Sequence, residues 1–247
     1  MGYKRPIPTH LECPFEPEYH CRDCDCKKRC FFNFLSPDSL KRFKAERRMR
    51  LYKAHQLIFN EGDQPQGMHM LCVGDVKLVK SDAHGRELTV SYLSCGDLVG
   101  DAPFWAGGHY CSSAETLRES VVCFLHRGLV EYLERAEPEF GRRSLQRISV
   151  SLCRCMDRVV GMAFKSAEAR LAAFLLALKQ PPVSNSSLPC HLKPAYSRRE
   201  IADNLGLSPE TVIRGLSAFQ RRGLIRVSGK SIDVKDKSGL ESVAAER

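Results

Sequence analysis

The chain has 247 residues, 43% hydrophobic and 27% charged, a balance that excludes a wholly disordered or collagen-like polymer and allows one large core or two small ones. No run approaches the roughly 18 apolar residues of a membrane helix, and Met1-Gly2-Tyr3-Lys4-Arg5-Pro6 leads into prolines and charges, not the apolar stretch of a secretory signal. Lys plus Arg number 38 against 29 Asp plus Glu, a net charge of +9 that suits a polyanionic partner.

Five of the 12 cysteines, Cys13, Cys21, Cys24, Cys26 and Cys30, fall in the first segment, residues 1–35, which Pro14 and Pro17 mark as irregular. A chain this long does not need disulfides to fold, so clustered thiols point to metal or redox work in a reducing cytoplasm. Ser36-Pro37-Asp38 reads as an N-cap with proline at the first helical position, opening a short basic helix that runs to about Arg50. From His55 to about His126 the pattern turns to short β-branched and aromatic runs punctuated by Gly62, Gly74, Gly85 and Gly96, which predicts a small antiparallel barrel or roll. Its expected strands are Met68 to Val73, Val76 to Lys80, Leu88 to Leu93 and Val121 to Leu125, inside a sensor domain of residues 36–136.

Beyond Pro138 the period becomes helical. Leu145, Ile148, Leu152, Cys155, Val159 and Met162 recur at alternating spacings of three and four, an a/d seam. Arg142, Arg143, Arg147, Arg154, Asp157 and Arg158 keep the other faces soluble, so residues 137–165 read as a helix that pairs with a second copy. The alternative is packing against the chain's own β domain. A further helix from Ser166 to about Lys179 precedes a linker at residues 180–187, and residues 166–247 form the last domain. The fold class is therefore α+β.

Within that last domain Ser197-Arg198-Arg199-Glu200 is a capping box. Ile201, Ala202 and Leu205 follow as an apolar face, Gly206 ends the helix, and Ser208-Pro209-Glu210 starts another. Val212, Leu216 and Phe219 are expected to be buried and Glu210, Ile213, Arg214 and Ser217 exposed. Gly223 stops this helix, and Leu224 to Val227 and Ser231 to Val234 read as two strands of a wing; the final 17 residues read as a frayed tail. Helix, tight turn, helix and wing with surplus arginine suit double-stranded DNA, with Arg214 placed for guanine, Glu210 for cytosine N4 and Ile213 for a thymine methyl. A helical pair that binds protein, with Glu210 and Arg214 as an exposed ion pair, is the alternative.

The thiols are spaced Cys21-x2-Cys24-x5-Cys30, and Arg22, Lys27, Lys28 and Arg29 around them favour thiolate. Spacing alone leaves an iron-sulfur cluster, zinc and a thiol switch all open. An iron-sulfur enzyme is a further alternative, although no substrate-pocket motif, nucleophile-base pair or phosphate loop accompanies the cysteines.

In the order of its parts the chain resembles the CRP/FNR superfamily of bacterial transcription regulators, and within it the FNR (fumarate and nitrate reduction) branch. Shared stretches are Cys21-x2-Cys24-x5-Cys30, Gly96-Asp97-Leu98-Val99-Gly100, Cys123 closing Ser120-Val121-Val122, Ala167 to Phe174, and Glu210-Thr211-Val212-Ile213-Arg214. The resemblance implies an oxygen-labile 4Fe-4S cluster held by Cys21, Cys24, Cys30 and Cys123. It also implies a cytoplasmic homodimer on a palindromic operator, contact with RNA polymerase, no membrane association and no enzymatic activity. Cys26 competes as a ligand and Cys13 stays undecided, while Cys72, Cys95, Cys111, Cys153 and Cys190 read as structural.

The pattern departs from that branch in two places. Ile213 stands where the branch commonly has serine, which alters the expected half-site at one thymine, and Cys155 stands at a seam position where an acid is frequent. The cyclic-nucleotide relatives hold a phosphate with an arginine that His109-Tyr110-Cys111-Ser112-Ser113 lacks, so no cyclic nucleotide is expected.

Overall fold

A computed structural model describes residues 30–85, 87–178, 196–229 and 231–246; Cys13, Cys21, Cys24, Cys26, Cys190 and the linker 180–187 lie outside them. The fold is α+β and divides into two compact units. The first carries the β-roll and the long helix as far as Ser149; the second carries that helix from Val150, everything described after it, and Gly85–Thr89.

Helix α1 spans Pro37–Glu46, with the Ser36 hydroxyl accepting from Ser39 N and Pro37 opening the first turn. It stops short of the expected Arg50. Arg47 is extended and Arg48–Tyr52 forms strand β1, because pairing along its whole length with a neighbouring strand outweighs one more helical turn. β1 pairs antiparallel with β8 (Ser120–His126). The other strands are β2 (Leu57–Phe59), β3 (Gly67–Val73), β4 (Asp75–Ser81), β5 (Glu87–Ser94), β6 (Leu98–Val99) and β7 (Ser113–Thr116).

They form two four-stranded sheets, ordered β1-β8-β3-β6 and β2-β7-β4-β5. All four expected strands fall within β3, β4, β5 and β8. The short β1, β2, β6 and β7 went unrecognised, since two to five residues carry too little alternation to register. Gly74 turns β3 into β4 at φ +104, and a Cβ there would strike the Ser120 backbone and side chain, so this turn requires glycine.

Helices α2 (Asp101–Ala106) and α3 (Arg127–Ala136) lead into α4 (Pro138–Phe164). The core beside the first sheet joins Phe31, Phe32, Phe43 and Phe140 to Met68, Met70, Leu98, Cys123, Leu125, Leu129 and Leu133. Edge-on ring contacts of Phe31 with Phe32, Phe34 and Phe140, at 5.0, 5.8 and 5.6 Å, fasten the segment after Cys30 to the start of α4. Glu137 strengthens this fastening by accepting from both Ser36 N and Oγ. Burial works to raise its carboxyl pKa, but hydrogen bonds from Ser36 and Ser39 prevail and hold it below the ordinary value.

The second unit contains α5 (Ala167–Leu178), α6 (Arg198–Leu205), α7 (Pro209–Arg221), the hairpin β9 (Ile225–Ser228) with β10 (Ser231–Val234), and α8 (Lys237–Ala245). The C-terminal end is thus not a frayed tail. Asp236 caps α8 by accepting from Gly239 N at 2.9 Å, and Leu240 and Val243 are buried. The tail reading overlooked this pair, three residues apart on one face, because a single short helix displays one repeat of the period. Among the described residues no helix is long and apolar enough to cross a membrane.

Candidate metal centre and nucleic-acid interface

Cys123 lies in the middle of β8 with no exposed surface. Its register partner on β3 is Met70, and Met70 Sδ lies 3.6 Å from Cys30 Sγ. Met70 thus stands beside both Cys30 and Cys123, which the sequence separates by 93 positions, 123 − 30. Cys72, two residues along β3 from Met70 and on the same side, sits where the register with β8 shifts. Its thiol pKa is driven well above the ordinary value by a hydrogen bond with Cys123 and by burial. Cys95, 3% exposed, places Sγ 2.8 Å from Cys72 O.

Cys30 and Cys123 fit the expected cluster. Both are soft donors against one apolar wall lined by Phe31 and Met70, the chemistry that thiolate-held iron requires. Among the described residues no group of three or more Cys, His, Asp or Glu could by itself hold a metal; the expected partners Cys21 and Cys24 lie outside those residues. Met70 and Cys72 were missed by sequence reading. Their two-residue spacing on one strand was visible, but only the register brings Met70 opposite Cys123, with Cys72 at the irregularity just beyond.

Phe59 of β2 and Tyr110, in the stretch before β7, stack with centroids 3.6 Å apart and planes within 9°. A Cβ at Gly100 would meet Tyr110 at 2.6 Å and Phe59 at 2.9 Å, so the space beside Gly100 is filled by rings. Burial, seconded by the charge of Asp63, raises the Tyr110 phenol to about 12, and it stays neutral.

Along α4 the expected seam residues Leu145, Leu152, Cys155, Val159 and Met162 are exposed and Ile148 is partly so. Leu145 is 68% and Val159 62% exposed, and Met156, Val160 and Phe164 add apolar surface that the seam reading had not included. Cys153 and Cys155 are both exposed free thiols.

The recognition elements form as their local signals predict. Both halves of the Ser197/Glu200 capping box are present, and Gly206 ends α6 in the left-handed region at φ +61. Ser208 caps α7 by accepting from Thr211 N, with Pro209 in the first turn. Val212, Gly215, Leu216 and Phe219 are buried, which leaves Glu210, Ile213, Arg214 and Ser217 on the exposed face. The Glu210 carboxyl is lowered by its own backbone N–H, then by the Ser208 hydroxyl and Arg214, so it is an ionised acceptor. Arg214 Nη2 lies 3.4 Å from Thr211 Oγ1. Arg198 donates to Gly229 O at 3.2 Å, joining α6 to the turn of the wing.

Residues 49–135 match the cyclic nucleotide-binding domain family, and residues 169–243 match the Crp-like helix-turn-helix domain family. The chain is 28% identical over 227 residues to the fumarate and nitrate reduction regulatory proteins of Salmonella typhimurium and of Escherichia coli K12, covering 91% of this chain and 90% of each relative. Among solved structures, FixK2 from Bradyrhizobium japonicum shares the fold, with a TM-score of 0.70 at 24% identity over 81% of this chain and 98% of that one.

The chain belongs to the CRP/FNR superfamily of transcription regulators. Its helix-turn-helix domain marks this regulator as a DNA-binding protein. No enzymatic family is indicated. Its exposed α7 face is the surface that such a domain presents to DNA, and homologues in this superfamily are dimeric.

Proposed function

We propose that this regulator is a cytoplasmic homodimer that controls anaerobic or microaerobic genes in response to oxygen, through a 4Fe-4S cluster held by Cys21, Cys24, Cys30 and Cys123. The observation that supports this reading is the place of Met70, whose sulfur lies 3.6 Å from Cys30 Sγ and whose register partner is Cys123. When bound, the cluster supplies an oxygen-labile iron-sulfur centre.

The chain's own residues do the rest. Cys30 and Cys123 anchor the centre from two ends of the sequence, Phe31 and its ring partners shield it from water, and α4 pairs with its copy through the exposed stripe. On DNA, a palindromic operator matches the two-fold pair. Arg214 clamps guanine, Glu210 accepts from cytosine N4 and Ile213 meets a methyl group. RNA polymerase is the expected protein partner of the bound dimer. The role is regulatory rather than enzymatic. A cyclic nucleotide has no part in it, supported by the Phe59–Tyr110 stack and the missing arginine in residues 109–113.

Anoxic purification with iron and acid-labile sulfide analysis tests the reading. Wild type should carry both and lose them in air together with operator affinity, and Cys123→Ser should carry neither. Colourless, iron-free wild type that binds its operator equally with and without air would overturn it. The spacing Cys21-x2-Cys24-x5-Cys30 also suits a second reading, in which the N-terminal cysteines form a zinc site or a thiol switch; zinc, or no metal at all, in the anoxic protein would select it.

A further inference from the structure

The turn between β5 and β6 is held from two sides. On one side it is bonded to the wall that carries the sulfurs. Gly96 N donates to Leu71 O at 2.7 Å, Leu71 N donates to Asp97 O at 2.9 Å, and Phe31 N, next to Cys30, donates to Gly96 O at 3.1 Å. The turn itself is closed by Ser94 N donating to Asp97 Oδ2 at 2.9 Å.

On the other side stands Arg147 of α4. Its Nε donates to Asp101 Oδ2 at 3.0 Å, Nη1 reaches Asp97 Oδ1 at 3.5 Å, and Nη2 is shared between Leu98 O and Asp101 Oδ1. Asp101 is only 7% exposed. Gly100 just before it is left-handed, and the rings of Tyr110 and Phe59 leave no room for a side chain there, so the backbone that carries Asp101 is closely packed. Arg147 also lies on α4 between the seam residues Leu145 and Ile148. A planar fork gripping acceptors on three residues resists both rotation and sliding of the helix, a constraint that a lysine's single ammonium cannot impose.

We propose that Arg147 is the positioning residue through which the state of the sulfur site sets the orientation of the α4 seam. A shift of Cys30 pulls on Phe31 N, the Gly96 to Asp101 turn moves with it, and Arg147 carries that movement to the helix. This inference rests on the reading of Cys30 and Cys123 as cluster ligands.

The test compares wild type, Arg147→Lys and the near-isosteric Asp101→Asn, each prepared without oxygen and again after controlled air exposure. Three quantities are read: iron and sulfide per chain, operator affinity by fluorescence anisotropy, and hydrogen exchange of residues 94–101 and 142–152. In wild type, loss of the cluster should weaken operator binding and speed exchange in both segments. The variants should keep the wild-type iron and sulfide complement, show at least a tenfold smaller ratio of operator affinities, and confine the exchange change to residues 94–101. Variants that keep the full ratio and the exchange change in α4, while wild type holds iron, overturn this proposal alone. An iron-free wild type overturns both the proposal and the reading beneath it, and variants that lose iron assign Arg147 to cluster retention instead.

Discussion

Glu210 and Arg214 share the exposed rim of α7, yet their local chemistry differs. Glu210 is tethered by its own backbone N–H and by Ser208, whereas Arg214 has a long 3.4 Å contact with Thr211 Oγ1 and the attraction of the Glu210 charge and can extend into a groove without breaking a strong bond. Arg214→Ala should therefore cost about 1–3 kcal/mol at the correct operator and much less on random DNA; competition titration at fixed salt measures both, and an equal loss on the two would assign Arg214 to phosphate. His69 illustrates the opposite case, a titratable side chain with a structural role. It lies between Phe59 and Phe124, with centroids 5.6 and 5.1 Å away, and burial depresses its pKa from 6.5 to about 4. The unfolded chain then binds a proton below pH 6.5 that the folded one refuses down to about pH 4, so this contribution to stability is lost as pH falls through that window. From pH 7 to pH 5 the loss is about 1–2 kcal/mol. Urea unfolding followed by the single tryptophan, Trp105, should show that His69→Phe flattens this dependence; an unchanged slope would place the acid sensitivity elsewhere.

At the scale of elements, what could be read in advance is what local chemistry dictates. The ends of α6 and α7 were legible because Ser197 with Glu200, Gly206, and Ser208 with Pro209 each satisfy or terminate a helix within one turn. The longer strands β3, β4, β5 and β8 were legible from alternation between glycine turns. The end of α1 was not, because strand pairing with β8 decides the fate of Arg48 to Tyr52, and that partner lies some 70 residues downstream, 120 − 50. Helix α8 was equally opaque, since its stability comes from burial of Leu240 and Val243, not from helix-forming composition. The candidate metal site divides along the same line. The N-terminal thiols announce themselves by spacing; Cys123 came only through family resemblance, and Met70 and Cys72 needed the β3–β8 register. Arg147 looked like one more solubilising arginine beside a seam, for its acceptors Asp97, Leu98 and Asp101 come from a different element.

For the whole molecule, the decisive variable is whether association depends on the sulfur site, and Cys155 bears directly on it. In a parallel two-fold pair each seam residue faces its own copy, so Cys155, exposed between Leu152 and Val159, would meet the partner's identical thiol. Two small neutral thiols add little repulsion and some apolar contact. Two carboxylates at the same layer would have to desolvate beside each other, a cost of about 2–4 kcal/mol, or roughly 30- to 1,000-fold in the dimer dissociation constant. The cluster-free wild type is therefore expected to remain a dimer at micromolar concentration, so that oxygen would change the orientation of the pair more than its existence. Cys155→Asp should dissociate at pH 7.5 and recover association toward pH 5, as the paired carboxyls, their pKa raised by mutual repulsion, take up protons. Sedimentation velocity across a concentration series decides the matter. A monomeric cluster-free wild type would mean that the neutral seam is insufficient by itself, and a Cys155→Asp protein that stays dimeric at pH 7.5 would mean that the chains associate through another face.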